Sequence, residues 1–349
     1  LTVHTKEKVV VAGVAAGVTL SELGLRDAVL RHTLQLLRLS AGQEADAERI
    51  IAELETELRA LLKTDLSDAG KAEIRQLISD AGKLIDPAYA EAAGVTDAHA
   101  LALVVSQQTV GALDAAIPGT INTPTAERIA SLTNDVLIDG APSSAWWSKQ
   151  AEDTAFKFAA QVRQGVANGW TNEQIVARVS AFMDTAKRNA RSLVQSSVMT
   201  AANQARLATF RKNANLIAGV RWLSTLDSHT CVVCAALDGQ AWDLDGNKIG
   251  STEAEFETPP AHFACRCVLS PIPKAIEGLT LPEGTRASAN GPVPSSTTFA
   301  DFLKRQSPEF VDKVLGKRRA EMFLAGKLTL RDLISGTGRE LTLDELPHA

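Results

Sequence analysis

Aromatic side chains are scarce in this chain of 349 residues: they make up 5% of it, with a single tyrosine, while alanine is abundant. That balance favours helix over sheet, because alanine loses least on entering a helix and strands draw on aromatic and β-branched residues. Long apolar runs are missing as well. The longest, Val9 to Leu20, is broken by Gly13, Gly17 and Thr19, and it falls short of the roughly 20 residues a helix needs to cross a bilayer. Lys6 and Lys8 precede it, as in a signal peptide, but no convincing cleavage site follows. The run reads as a first apolar element docked on the rest. There is no excess of basic residues: 36 Lys and Arg stand against 41 Asp and Glu, which excludes a chain-wide attraction to nucleic acid. No P-loop, GxSxG or HExxH motif occurs, so the common nucleotide, serine-hydrolase and zinc-protease signatures are absent. Cysteine is confined to four positions, all between Cys231 and Cys267. A secreted disulfide scaffold spreads its cysteines through a small domain; one local cluster in an otherwise cysteine-free chain points to a metal.

What is present is mostly helical periodicity, in a chain long enough for two or three domains. Leu23, Leu30, Leu34 and Leu37, then Ile50, Leu54, Leu58, Leu61 and Leu62, recur at helical spacing, which predicts a helical hairpin from about Leu20 to Gly70 turning at Ser40–Gly42. Further helices are expected over Lys71–Leu84 and Asp97–Ala116, after Thr123-Pro124 through about Val136, and from Trp146-Trp147. Thr171 and Gln174 form a capping box ahead of Ile175, Val179 and Phe182. A separate helix is expected over Thr185–Asn213. Its Lys187, Arg188, Arg191, Arg206, Arg211 and Lys212 read as a solvated face able to touch phosphate or an acidic partner. At Ile217 the pattern changes to strand-like alternation in Gly219–Ser224. From Pro273 to Thr298 the chain is rich in Pro, Gly, Ser and Thr, as in an extended or flexible linker. Short helices close the sequence over Phe299–Gln306, Pro308–Leu315, Arg318–Leu324 and Leu330–Ile334.

The cysteine cluster carries the chemistry. Cys231-Val-Val-Cys234 has zinc-knuckle spacing, two thiolates on one tight turn. Thirty residues on comes His262-Phe-Ala-Cys265-Arg-Cys267. In an extended Cys265-Arg266-Cys267 both sulfurs lie on one face and Arg266 on the other. Two converging pairs give a tetrahedral Cys₄ site, with His262 able to replace one thiolate. Cys231, Cys234, His262, Cys265 and Cys267 are thus five candidates for four places on one structural zinc, with His229 a weaker sixth. A closed Cys-rich tetrahedron is structural, since catalytic zinc keeps one position open for water; such a site would tie the loop Asp238–Pro260 to its flanks. Cross-linked disulfides or buried free thiols are the alternative. Asp227, His229, Asp238, Asp243 and Asp245 lie close by in sequence and would suit a metal-dependent nuclease, although Asp238-Gly239 and Asp245-Gly246 read more simply as turns.

Several pieces around this cluster form a family pattern: Trp222-Leu-Ser-Thr-Leu-Asp227, Thr230-Cys231, Cys234, Leu237-Asp238-Gly239, Pro259-Pro260-Ala-His262 and Cys265-Arg266-Cys267. Together they resemble the head morphogenesis domain of minor head proteins from Mu-type and related tailed bacteriophages. The helix ending Asn203-Gln-Ala-Arg206 fits the family's preceding helix, with Gln195-Ser196-Ser197 standing where members often carry Arg-Thr-Glu. Phe302-Leu303, Arg305-Gln306, Val314-Leu315-Gly316 and Leu341–Leu346 are similar to the ending of many such proteins. The resemblance covers roughly Thr185 to Leu346. It implies a minor capsid protein of the virion that associates with the portal, with possible major capsid, scaffold and packaged-DNA contacts. Such a protein occupies the head near the portal vertex in multiple copies, passes through the host cytoplasm during assembly, and aids head assembly or DNA packaging and delivery without catalysis. A metal-dependent nuclease or toxin-like effector and a cellular zinc-ribbon binding module are the rival classes.

The expected fold is mainly α with a small α+β zinc-stabilised domain. A helical N-terminal region covers 1–184, a head-morphogenesis-like domain with short strands around the cysteines 185–272, a flexible linker 273–298, and a small helical C-terminal unit 299–349. That last unit either docks elsewhere through exposed Phe299, Phe302 and Phe310 or folds back on its own chain.

Overall fold

The structure is a computed structural model that describes residues 25–63, 70–134, 136–274 and 285–346; the Val9–Leu20 run lies outside the described residues. The helical region comprises α1 (Leu25–Leu61), α2 (Lys71–Ala93), α3 (Ala98–Ala116) and α4 (Ala126–Thr133), then the small hairpin β1 (Leu137–Ile138) and β2 (Ala141–Pro142), then α5 (Ser143–Asn168) and α6 (Asn172–Lys212). As expected, the chain is mainly helical.

Two expected breaks do not occur. α1 is one helix of 37 residues through Ser40–Gly42. Ser40 is buried and donates its hydroxyl to Glu44 Oε1 within the helix at 2.9 Å, so it behaves as a helix residue and not as a turn. Gly42 costs about 1 kcal/mol against alanine there, outweighed by buried Leu36 on one side and Ile50, Ile51 and Leu54 on the other. Likewise α2 passes through Pro87 to Ala93, because Ile85, Tyr89 and Ala92 pack against α5 and Tyr89 Oη meets Thr154 Oγ1 at 2.7 Å.

The two helices expected on either side of Thr185 are one. α6 begins at the predicted Thr171–Gln174 capping box and runs 41 residues. The boundary expected between 184 and 185 falls inside it, bridged by buried Met183, Ala186 and Ala190. The first half of α6 packs with α1, α2 and α5 around Phe158, Ile175 and Val179; farther along, Val198, Ala201 and Ala205 pack on α3. Its basic side chains are largely engaged. Lys187 pairs with Glu55 and Asp184, and Arg191 with Glu44 and Glu48. Arg211 donates to Leu244 O, and Arg206 is buried. Of the six cations expected on a solvated face, Lys187 and Arg191 therefore lie at the seam between α6 and α1 and Arg206 is in the interior, while Arg188 and Lys212 stay at the surface.

Beyond α6 lie β3 (Ile217–Leu223), α7 (Val232–Leu237), β4 (Ala241–Asp243) and β5 (Val268–Pro273), with β3 central in an antiparallel sheet of order β4-β3-β5. Gly219 sits at a register shift in β3 where a Cβ would lie 2.2 Å from Trp242 O; only glycine lets the two backbones come this close. Trp222 and Trp242 are fully buried.

The C-terminal segment is not a tethered satellite. In the described part of the stretch expected as a linker, β6 (Thr285–Arg286) pairs with β7 (Val293–Pro294), and Arg286 is buried. The helices α8 (Phe299–Leu303), α9 (Pro308–Leu315) and α10 (Lys317–Leu324) follow. Phe299 and Phe302 are buried and share one core with Trp222, Cys234 and Cys265. They are edge-to-face to one another, and Phe302 to Phe310. Of the two alternatives, docking elsewhere or folding back, the second is the one seen: the unit folds back on its own chain, where burial of those rings is worth about 2 kcal/mol each.

Candidate metal centre

Three elements converge on the cluster. Cys231 is the N-cap of α7, its Sγ accepting from Cys234 N at 3.4 Å, so the knuckle turn and the first helical turn are one structure. The segment 262–267 approaches from the other side, and α6 holds it there. Gln195 Nε2 donates to Ala264 O, Ala264 N donates to Ser196 Oγ, and Asn203 Nδ2 donates to Cys267 O. Ala264 has φ 57°, a left-handed conformation unfavourable for a residue with a Cβ, and those two bonds on its own amide and carbonyl hold it. Gln195 and Ser196 thus clamp the cysteine-bearing loop onto α6. Phe263 stacks edge-on to Trp146 of α5, anchoring the loop to the helical region.

The donor atoms meet as the spacing predicts. His262 Nε2 lies 3.1 Å from both Cys231 Sγ and Cys234 Sγ, and Cys234 Sγ lies 3.6 Å from Cys265 Sγ. Two triads of donors, Cys231–Cys234–His262 and Cys234–Cys265–Cys267, have all their ligand atoms within 4.8 Å of one another. All four cysteines are free thiols, not disulfides. Thiolates around one tetrahedral zinc stand about 3.8 Å apart, so the cluster has the dimensions and donor chemistry to hold a metal ion. Arg266 points away from the sulfurs, as alternation requires, and makes a two-pronged ion pair with Asp227 at 2.6 and 2.7 Å.

The electrostatics ask for a cation. Hydrogen bonding to the Cys231 thiolate, then to Cys265, pushes His262 up to about 11. Hydrogen bonds from Cys234 and from His262 pull Cys231 down to about 5 against the opposing effect of burial. Cys265 is held well below the usual thiol range, first by Cys234 and then by Cys267 and His262. Cys234 is pushed up by its thiolate neighbours Cys231 and Cys265, and Cys267 chiefly by burial. A divalent cation bound there would displace protons from these groups and offset the negative charge of the thiolates.

The nearby acids stand apart from the sulfurs. Asp227 is committed to Arg266, and its carboxylate also accepts from the His229 amide. Against the upward push of burial, these contacts hold it below the usual carboxylate range. Asp243 caps its own turn by accepting from Asp245 N, Asn247 N and Asn247 Nδ2. His229, the weaker sixth candidate, is exposed and joins neither donor triad.

Asp238 has the role that sequence reasoning missed. Its carboxylate accepts from Ser224 N at 2.7 Å and Phe299 N at 2.7 Å, and pairs with Arg286 Nη2 at 2.6 Å and Nη1 at 3.0 Å. Both side chains are buried, Arg286 reaches Thr297 O and Ser224 O besides, and so the metal module, the β6–β7 hairpin and α8 are joined at one carboxylate. A turn-forming Asp-Gly pair hides such a role, since the dipeptide explains itself locally; the only hint was a lone arginine in a stretch rich in Pro, Gly and Ser.

Neither a curated protein nor a solved structure matches the chain. Residues 157–270, from α5 through the whole cysteine cluster into β5, match the family model described as phage Mu protein F like protein, so that this segment is similar to a phage head morphogenesis family.

Proposed function

We propose that this protein is a minor capsid protein of a tailed bacteriophage, a non-catalytic virion component with one structural zinc. It associates with the portal during head assembly and aids DNA packaging or delivery. The observation that carries the reading is the coincidence of the family match with the closed donor cluster: residues 157–270 contain every candidate ligand and the helix that clamps them. Five thiol and imidazole donors, in two triads that share Cys234, outnumber the four places of a tetrahedron, which supports a closed structural metal over a catalytic one with a place kept for water. Asp227, Asp238 and Asp243 are spent on Arg266, on Arg286 and on a local turn, which argues against the hydrolytic alternative. The test is co-expression with the portal protein of the same genome, followed by affinity purification of the portal. Co-purification at a fixed ratio, and particles that lack infectivity when the gene is interrupted, are expected. Normal infectious heads formed without the protein would overturn the assignment, as would metal-dependent cleavage of DNA that disappears in His229→Ala.

A further inference from the structure

A groove runs between α2 and α5, and no described residue fills it. Its widest part is a cavity of about 540 Å³ lined by Asp86, Ala90 and Ala93 of α2 and by Trp147, Ala151 and Glu152 of α5. A second cavity, of about 380 Å³, continues it past Ala93 and Trp147 toward the start of α3. The floor of the wider part is apolar, made of alanines and one face of the buried Trp147 ring. Its rim is acidic. Asp86 and Glu152 are exposed, neither has an ion-pair partner among the described residues, and no lysine or arginine lines the cavity. One turn beyond Glu152, Phe156 is 74% exposed. A lone exposed ring is ordinary; at the end of an apolar-floored groove with an unbalanced rim, it extends a contact face.

Such a groove suits a short helix with cations at one end and an apolar residue farther along. The chain carries one. Across residues 299–327, seven Lys and Arg stand against four Asp and Glu, the reverse of the whole chain's balance of 36 to 41. Lys317 and Arg318 open α10 and are exposed. Lys317 has no ion-pair partner among the described residues, and Arg318 reaches only Glu321 on its own helix, at 3.6 Å. Leu324, seven positions after Lys317 and so on the same face, is 44% exposed. The dimensions agree: Lys317 to Leu324 rises about 10 Å, and the α5 lining from Ser144 to Glu152 about 12 Å.

We propose that α10 of a second copy of this chain docks in the α2–α5 groove. Lys317 and Arg318 meet Asp86 and Glu152, their aliphatic stems lie along Phe156, and Leu324 rests on the alanine floor. Groove and helix are different patches of one surface, so the contact is head-to-tail; it closes into a ring or runs on as a filament according to the rotation between copies. It requires neither the metal nor the portal, and so stands apart from the function proposed above.

Sedimentation velocity of the full chain over a concentration series tests the contact. Concentration-dependent assembly is expected, weakening as added salt screens the rim charges. Two paired variants change exposed positions only and are expected to keep the melting temperature: Asp86→Lys with Glu152→Lys, and Lys317→Glu with Arg318→Glu. Each pair sets like charges against each other and is expected to weaken assembly at least about tenfold. Mixing the two variants puts lysine opposite glutamate in one contact and leaves the original charges in the other, and is expected to restore assembly. Monomer at every concentration of the unaltered protein would overturn the proposal, as would assembly that neither pair weakens. Weakening by the groove pair alone, with no recovery on mixing, would give the groove to another occupant and overturn α10 in that place.

Discussion

Replacing Asp238 with alanine tests the joint between the metal module and the C-terminal helices. The carboxylate is the only anion paired with Arg286 among the described contacts, and both side chains are buried. Removing one partner of such a pair leaves an uncompensated charge in the interior and costs about 3–5 kcal/mol. The Ser224 and Phe299 amides also lose their acceptor, and each orphaned amide adds about 1–3 kcal/mol unless water reaches it. These terms overlap, so a loss of about 4 kcal/mol or more is the reasonable sum, a large share of the ~5–15 kcal/mol that holds a typical domain. The assays are urea unfolding for the total and amide hydrogen exchange for its location: protection is expected to fall first at 285–303, ahead of α1, α2 and α5. The double change Asp238→Ala with Arg286→Met removes the stranded charge and is expected to recover about 2 kcal/mol relative to the single variant. A single-variant cost under about 1 kcal/mol, or strictly additive costs in the double variant, would refute the idea that this buried pair joins the two parts.

Three other outcomes follow from the same structure. His32 is held down to about 4, by burial first and then by the nearby Arg206 charge. The unfolded chain therefore takes up a proton as pH falls below about 6.5 while the folded one resists until about 4, so stability is full above that window and declines through it. His32→Gln is expected to flatten the melting temperature between pH 7 and pH 5, and an unchanged slope would contradict the assignment. Gly219→Ala puts a Cβ 2.2 Å from Trp242 O and 2.8 Å from Ile249 Cδ1 and is expected to cost about 2–3 kcal/mol, whereas Gly82→Ala, with nothing within 4 Å, is expected to stabilise α2 by up to about 1 kcal/mol. Chelation of the proposed zinc is expected to lower the melting temperature and restore thiol reactivity, both reversed by added zinc; a melting curve indifferent to metal would remove its structural role.

Legibility in the sequence followed the range of the interactions. The knuckle, the outward Arg266 and the Thr171–Gln174 cap were readable because each is set within a few residues by helical or strand periodicity. The continuity of α1 and α6 was not, because Ser40, Gly42 and the Asp184-Thr185 pair are locally neutral or unfavourable. They are held helical by partners more than a hundred residues away, as in the Lys187–Glu55 pair. The same holds for Asp238 and Arg286, separated by 48 positions. Composition marked the Pro273–Thr298 stretch as a linker because no pattern within it records that one arginine enters the core. At the cysteine cluster, spacing nominated five donors, and the fold brings them together in two triads that share Cys234.

The length of α6 has a mechanical meaning. At 1.5 Å per residue its 41 residues make a rod of about 60 Å, seated in the helical core at Ile175 and in the cysteine-bearing core at Phe210. No hinge lies between those seats, so a force on the α2–α5 face arrives at the cysteine loop as a displacement of Gln195, Ser196 and Asn203, not as slack in a tether. A cut made at residue 184 to isolate the cysteine-bearing part would sever the beam on which it is mounted.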